Sequence, residues 1–69
     1  MQNFNIKPVF LRLRDVCKMT GMSRATVYRL IADGRFPPSV KLGERIAAWP
    51  VAALEQWANE RIESGMKGE

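Results

Sequence analysis

LRDVCKMTGMSRATVYRLIA, running from Leu13 to Ala32, contains two short helical patterns separated by a glycine. The first spans Arg14 to Thr20. It places Asp15 in its opening turn, where a carboxylate suits the positive end of the helix dipole. Gly21 is free to take the left-handed conformation that stops a helix. Ser23 then stands as a cap, able to accept from N–H groups that a first turn leaves unpaired. A second helix is predicted over Arg24 to Asp33 and ends at Gly34, and Pro37 and Pro38 forbid its continuation. Two helices crossing over so tight a turn need a small residue beside an apolar one, and Cys17 and Val16 supply them. Met22 fills the elbow. Val27, Leu30 and Ile31 hold the base of the second helix at helical spacing. These are the demands of a helix-turn-helix, met position by position.

At about 100° per residue, that buried face leaves Ala25, Tyr28, Arg29 and Ala32 pointing outward, with Arg24 flanking them at the N-terminal end. Where this motif binds DNA, the N-terminal part of its second helix enters the major groove. Arginine can pair bidentately with guanine O6 and N7, and a small apolar side chain such as that of Ala25 can touch a thymine methyl. Ser23 and the helix N-terminus suit a phosphate. The plain alternative is an αα corner with solvated arginines. The glycine, the serine cap and the basic outward face together favour duplex DNA.

Working outward, residues 1–8 are expected to form a flexible arm, because Asn3, Asn5 and Pro8 break any period. Val9 to Leu13 alternates as a short strand. Val40 to Leu42 and Ile46 to Trp49 are two β-prone runs around Gly43-Glu44, a Gly-X pair suited to a type II′ hairpin turn. Lys41 and Arg45 bracket that turn and set two cations near one tip. Such a wing lies along the backbone or in the minor groove, the competing reading being a solubilising hairpin. Pro50 is placed at a helix start. A last helix is predicted over Val51 to Ile62, with Val51, Leu54, Ala58 and Ile62 along one face. Trp49 and Trp57 are assigned to the core rather than to base stacking. Gly65 to Glu69 ends the chain as a ragged tail, which gives a domain over residues 9–63 between an arm and a tail at 64–69. The expected fold is mainly α with a small β-hairpin: a winged helix-turn-helix of three helices plus wing.

Composition narrows the function. The 69 residues include no histidine and one cysteine, so imidazole-based catalysis, an intramolecular disulfide and a cysteine-rich zinc site are all excluded. Catalysis is not expected, and neither is a metal or cofactor. Cys17 is taken as a small packing residue. Residues 1–45 carry nine cations against three carboxylates, whereas residues 46–69 carry two against four. A basic N-terminal part joined to a mildly acidic C-terminal part suggests one polyanion-facing surface, to which Arg12 and Arg14 would add backbone contacts. No run approaches the ~20 apolar residues needed to span a bilayer. The N-terminus lacks a signal-peptide pattern, so the cytoplasm is the expected location.

The linked elements TGMSRATVYRLIADGRFP, VKLGER and AAWPVAALEQW resemble the AlpA-type prophage regulators. These are small winged-helix DNA-binding proteins related to phage excisionases and to the DNA-binding domain of MerR-type regulators. The resemblance covers about residues 10 to 62. It implies that Ser23, Arg24, Ala25, Thr26, Tyr28 and Arg29 belong to a recognition helix, and Lys41 and Arg45 to a wing. In one departure, Ala52 and Ala53 stand where the family often has a Ser-Glu pair at the start of its last helix. The resemblance further implies transcriptional control of prophage genes, with double-stranded DNA as partner and RNA polymerase or a phage integrase as candidate protein partners. Two other functions are distinguishable by experiment. An excisionase-like factor would bend attachment-site DNA through several adjacent sites. A small protein-docking inhibitor would work through its last helix. No coiled-coil heptads follow the domain, in contrast with MerR-type dimers.

Overall fold

The computed structural model describes residues 8–66, so the expected arm, apart from Pro8, lies outside the described residues. The element order is β1 (Phe10–Leu11), α1 (Leu13–Thr20), α2 (Arg24–Ala32), β2 (Val40–Gly43), β3 (Ile46–Pro50) and α3 (Val51–Met66). The strands form one antiparallel sheet in the order β1-β3-β2. This is a winged helix-turn-helix: three helices, with the β2–β3 hairpin as the wing.

Both glycine stops act as their chemistry requires. Gly21 takes φ 75° and donates its N–H to the Cys17 carbonyl at 2.8 Å. Gly34 takes φ 73° and donates to Ile31, while Arg35 donates to Leu30, at 3.0 and 2.8 Å. That pair of bonds is a Schellman closure, and it satisfies two carbonyls that the end of α2 would otherwise leave unpaired. At the elbow, Thr20 donates its hydroxyl to the Val16 carbonyl and accepts the N–H of Met22.

The core is Val16, Val27, Phe36, Trp49 and Leu54, with Leu11, Leu13, Cys17, Met22, Leu30, Ile31 and Trp57 packed against it. Every helical element contributes. Full burial of a Val or Leu side chain contributes about 1.5–3 kcal/mol, so this cluster carries most of the stability of so short a chain. Trp49 is a core residue, and Trp57 packs against the core. Trp49 is fully buried and donates its indole N–H to the Pro37 carbonyl at 2.9 Å. Trp57 meets Phe36 edge to face at 4.7 Å between centroids and donates to the Arg35 carbonyl at 2.8 Å. The buried Trp49 ring offers no free stacking face.

Several boundaries differ from the sequence expectation. The first strand is only Phe10–Leu11, and Leu13 opens α1 instead of closing the strand. Leu13, Val16, Cys17 and Thr20 repeat at helical spacing, and burying that face outweighs the weak alternation before it. The hairpin turns at Glu44-Arg45 rather than Gly43-Glu44, and Gly43 is a strand residue without a positive φ. Pro50 ends β3 opposite Phe10 rather than starting the last helix, and the N–H of Val51 reaches the Val9 carbonyl at 2.8 Å. A proline, lacking an N–H, is tolerated at such a strand end. The last helix runs on to Met66. Ile62, expected on its buried face, is 58% exposed, because the helix has already passed the core after Ala58.

Cys17 is half-buried at the α1–α2 crossing. Replacing it with a large residue should cost ~1–3 kcal/mol by overpacking. Thermal melts should therefore show Cys17→Phe clearly destabilised and Cys17→Ala close to wild type. Loss of DNA binding in Cys17→Ala at an unchanged melting temperature would refute a purely packing role.

Candidate nucleic-acid interface

The N-terminus of α2 is held by Ser23, whose hydroxyl accepts the Thr26 N–H at 3.2 Å and lies 3.0 Å from Thr26 Oγ1, donating to it. From this cap the helix presents Arg24, Ala25, Tyr28, Arg29 and Ala32 to solvent, while Val27 is buried and Leu30 and Ile31 are half-buried. Tyr28 is 51% exposed, so its ring is not a core element.

Between α1, α2 and the wing lies a groove of about 670 Å³. Its floor is apolar, made by Leu13, Cys17, Ala47 and Trp49, and Tyr28 lines it from α2. Five cations surround it: Arg12, Arg14 and Lys18 from the first helical unit, Arg24 from α2 and Arg45 from the wing. No carboxylate lines it. A concavity with low-dielectric walls and a single sign of charge focuses its field outward, toward an anion. A second groove, of about 650 Å³, between the end of α2 and α3 differs in kind, because Glu60 lines it together with Arg35 and Arg61.

The structure therefore brings together Arg12, Arg14, Arg24, Tyr28 and Arg45 of the residues singled out in the sequence. Ser23, Ala25, Thr26, Arg29 and Lys41 lie outside the groove; Ala25, Arg29 and Lys41 are exposed there. Lys18 was not singled out, although a signal was available. It follows Arg14 by four residues, which places both on one face of a helix. Among the described residues no cluster of His, Cys, Asp and Glu is placed to hold a metal, and no helix is long and apolar enough to cross a membrane.

A glycine-turned helix pair, a capped second helix with an exposed basic face and a hairpin closing a cationic groove together define a winged helix-turn-helix protein. The chain belongs to the family described as Prophage CP4-57 regulatory protein (AlpA), whose family model matches residues 9–62. It is 41% identical to the "Uncharacterized protein ORF88" of Enterobacteria phage P4, over 86% of this chain and 67% of that protein. It is 35% identical to the "DNA-binding transcriptional activator AlpA" of Escherichia coli (strain K12), over 74% of this chain and 81% of that protein. No solved structure matches it.

Proposed function

We propose that this protein is a sequence-specific regulator of prophage gene transcription that binds double-stranded DNA. The observation that carries this reading is the acid-free groove, in which five cations from α1, α2 and the wing converge. The E. coli relative, named as a DNA-binding transcriptional activator, supports it. In this reading residues 23–33 enter the major groove and the wing, residues 40–49, follows the backbone or the minor groove. Arg24 and Arg29 read base edges, and Ala25 meets a thymine methyl. Ser23, Thr26 and the helix N-terminus face phosphate. Tyr28 contacts DNA through its hydroxyl. Arg12, Arg14 and Lys18 hold one strand's phosphates from the first helix, and Lys41 and Arg45 hold the wing. Residues 9–63 act as the DNA-binding domain, in the cytoplasm, with RNA polymerase or a phage integrase as the protein partner on DNA.

The test is base discrimination. Exposed substitutions away from special features usually change stability by less than ~0.5 kcal/mol. Loss of a bidentate base contact costs ~1–3 kcal/mol at one base pair. Arg24→Ala and Arg29→Ala should therefore keep the fold and relax preference at one position each, when titrated against a panel of single-base-pair site variants. Tyr28→Phe, which removes only the hydroxyl, should cost less than either. If both arginine variants keep the wild-type ranking of all sites, α2 does not read sequence, and an architectural or protein-docking role takes its place.

A further inference from the structure

The sheet has two unlike faces. Side chains alternate along a strand, so Arg45, Ala47 and Trp49 of β3 turn to one side and Ile46, Ala48 and Pro50 to the other. The first set lines the cationic groove, and Lys41, opposite Ala47, turns with it. The second set shares its side with Phe10, which pairs with Pro50, and with Val40, which pairs with Ala48. Phe10, Val40 and Ile46 are 40%, 40% and 43% exposed. At the wing tip Leu42, left without a partner as the pairing passes from Lys41–Ala47 to Gly43–Ile46, is 48% exposed. Where the strands meet the start of α3, a groove of about 600 Å³ is lined by Val9, Phe10, Val40, Pro50 and Val51. Glu55 is its one charged lining residue, and it shares no residue with the cationic groove.

We propose that this apolar sheet face is the contact through which two copies of the chain pair, leaving both cationic grooves open. Among the described residues nothing covers it, and contiguous apolar patches of this kind mark interaction sites. A two-fold contact sets one patch against itself, so it suits only a patch whose self-apposition brings no like charges together. This face meets that condition. The cations Lys41 and Arg45 turn to its other side, and Glu55 stands at its α3 end. A two-fold axis across the strands then lays each Glu55 toward the wing end of the other copy, away from its own counterpart. Homodimer interfaces have such apolar, charge-poor centres, and sheets stack face to face at about 10 Å. Patches of this make-up cover roughly 300–600 Å² on each copy. Two of them bury about 1,000 Å² in all, the lower bound of a specific interface, so the pair is weak and forms at high micromolar concentration. A chain below about 70–80 residues gains stability from such burial.

Sedimentation equilibrium of the full chain, from about 10 µM to about 1 mM, should show a monomer–dimer equilibrium. In a proton–nitrogen correlation series over the same range, the amides of Phe10, Val40 and Ile46 should shift while those of Arg24 and Tyr28 stay fixed. Val9 is 68% exposed, so Val9→Ser should fold as wild type and raise the dimer dissociation constant about tenfold, each copy losing apolar area. Ala52, exposed in the first turn of α3, also lines the groove. Ala52→Glu suits the helix dipole and should fold, yet its carboxylate enters an apolar contact and should abolish the dimer. Both variants should bind a single-site duplex as wild type does, because neither position lines the cationic groove. A wild type that stays monomeric at millimolar concentration overturns the proposal. So does a dimer that both folded variants leave intact, or one whose shifted amides lie around the exposed Ile62 of α3. Dimerisation seen only in Phe4→Ser would make the chain's own N-terminal residues the occupant of the face and overturn the second copy. Loss of transcriptional control in variants that still bind DNA, with the wild type monomeric, would make the occupant another protein and overturn it too. Absence of duplex binding would sink the regulator reading and leave this contact standing, since the pairing is measured without DNA.

Discussion

Duplex binding should weaken by about 500-fold when monovalent salt rises from roughly 50 to 200 mM. Each phosphate neutralised on B-DNA releases condensed counterion and contributes about −0.9 to the slope of log K against log salt. Arg12, Arg14, Lys18, Arg24 and Arg45 line one groove with no carboxylate among them. With Arg24 on a base edge, Arg12, Arg14, Lys18 and Arg45 of this groove and Lys41 of the wing make five phosphate contacts, so the slope is about −4.5, and a fourfold rise in salt gives the stated loss. The individual residues are then separable. Lys18→Gln should bring the slope to about −3.6 and weaken specific and non-specific duplexes alike, because a phosphate contact carries no sequence information. Binding isotherms at several salt concentrations decide the matter. A slope near zero on duplex DNA removes the nucleic-acid reading altogether, and a normal slope in Lys18→Gln removes Lys18 from the interface.

Trp49→Ala should leave the chain largely unfolded at 25 °C. Trp49 is one of the largest fully buried side chains, and its indole N–H binds the Pro37 carbonyl. Truncating a buried aromatic residue to alanine costs ~3–5 kcal/mol. A single core in a chain below about 70–80 residues rarely supplies more than ~3–5 kcal/mol in total, so the loss is comparable to the whole stability. Far-UV circular dichroism should show most of the helical signal gone. The fluorescence of the remaining Trp57 should shift to the red as its edge-to-face contact with Phe36 opens. Trp49→Phe keeps much of the ring and loses only the donor, so it should fall between alanine and wild type. A cooperative melt within a few degrees of wild type for Trp49→Ala would mean that the β3 end of the core is not where the stability lies. Trp49 also forms part of the floor of the cationic groove, so its loss should abolish DNA binding along with the fold.

The stretch from Leu13 to Gly34 was legible because its rules are local. A glycine at positive φ, a serine cap and apolar residues three and four apart each act within a few residues of chain, and all three point to one arrangement. The helix-turn-helix, the Cys17 crossing, the Met22 elbow and the outward set Arg24, Ala25, Tyr28 and Arg29 follow from them. The hairpin was less legible, because its register is not a local property. A turn at Gly43-Glu44 would set Val40 across from Ala47, whereas Val40 pairs with Ala48. β3 is the central strand, and its pairing with β1 places Trp49 opposite Leu11 and into the core. That fixes which β3 side chains face inward, and a slip of one residue would reverse them all. The turn therefore moves to Glu44-Arg45, and β2 takes up the difference as the bulge at Leu42.

The amino-acid sequence alone thus determined the helix pair, its stops, its buried face and the cationic character of the N-terminal two-thirds. These depend on backbone chemistry and on periodicity that any segment carries with it. Only the tertiary structure decided that Arg45 of the wing and Lys18 of α1 share a groove with Arg24, that Ile62 leaves the core, and that the wing ends in an aliphatic tip. Each of these depends on how elements far apart in the chain are packed on Trp49 and Phe36, and no single segment encodes the distance between two others.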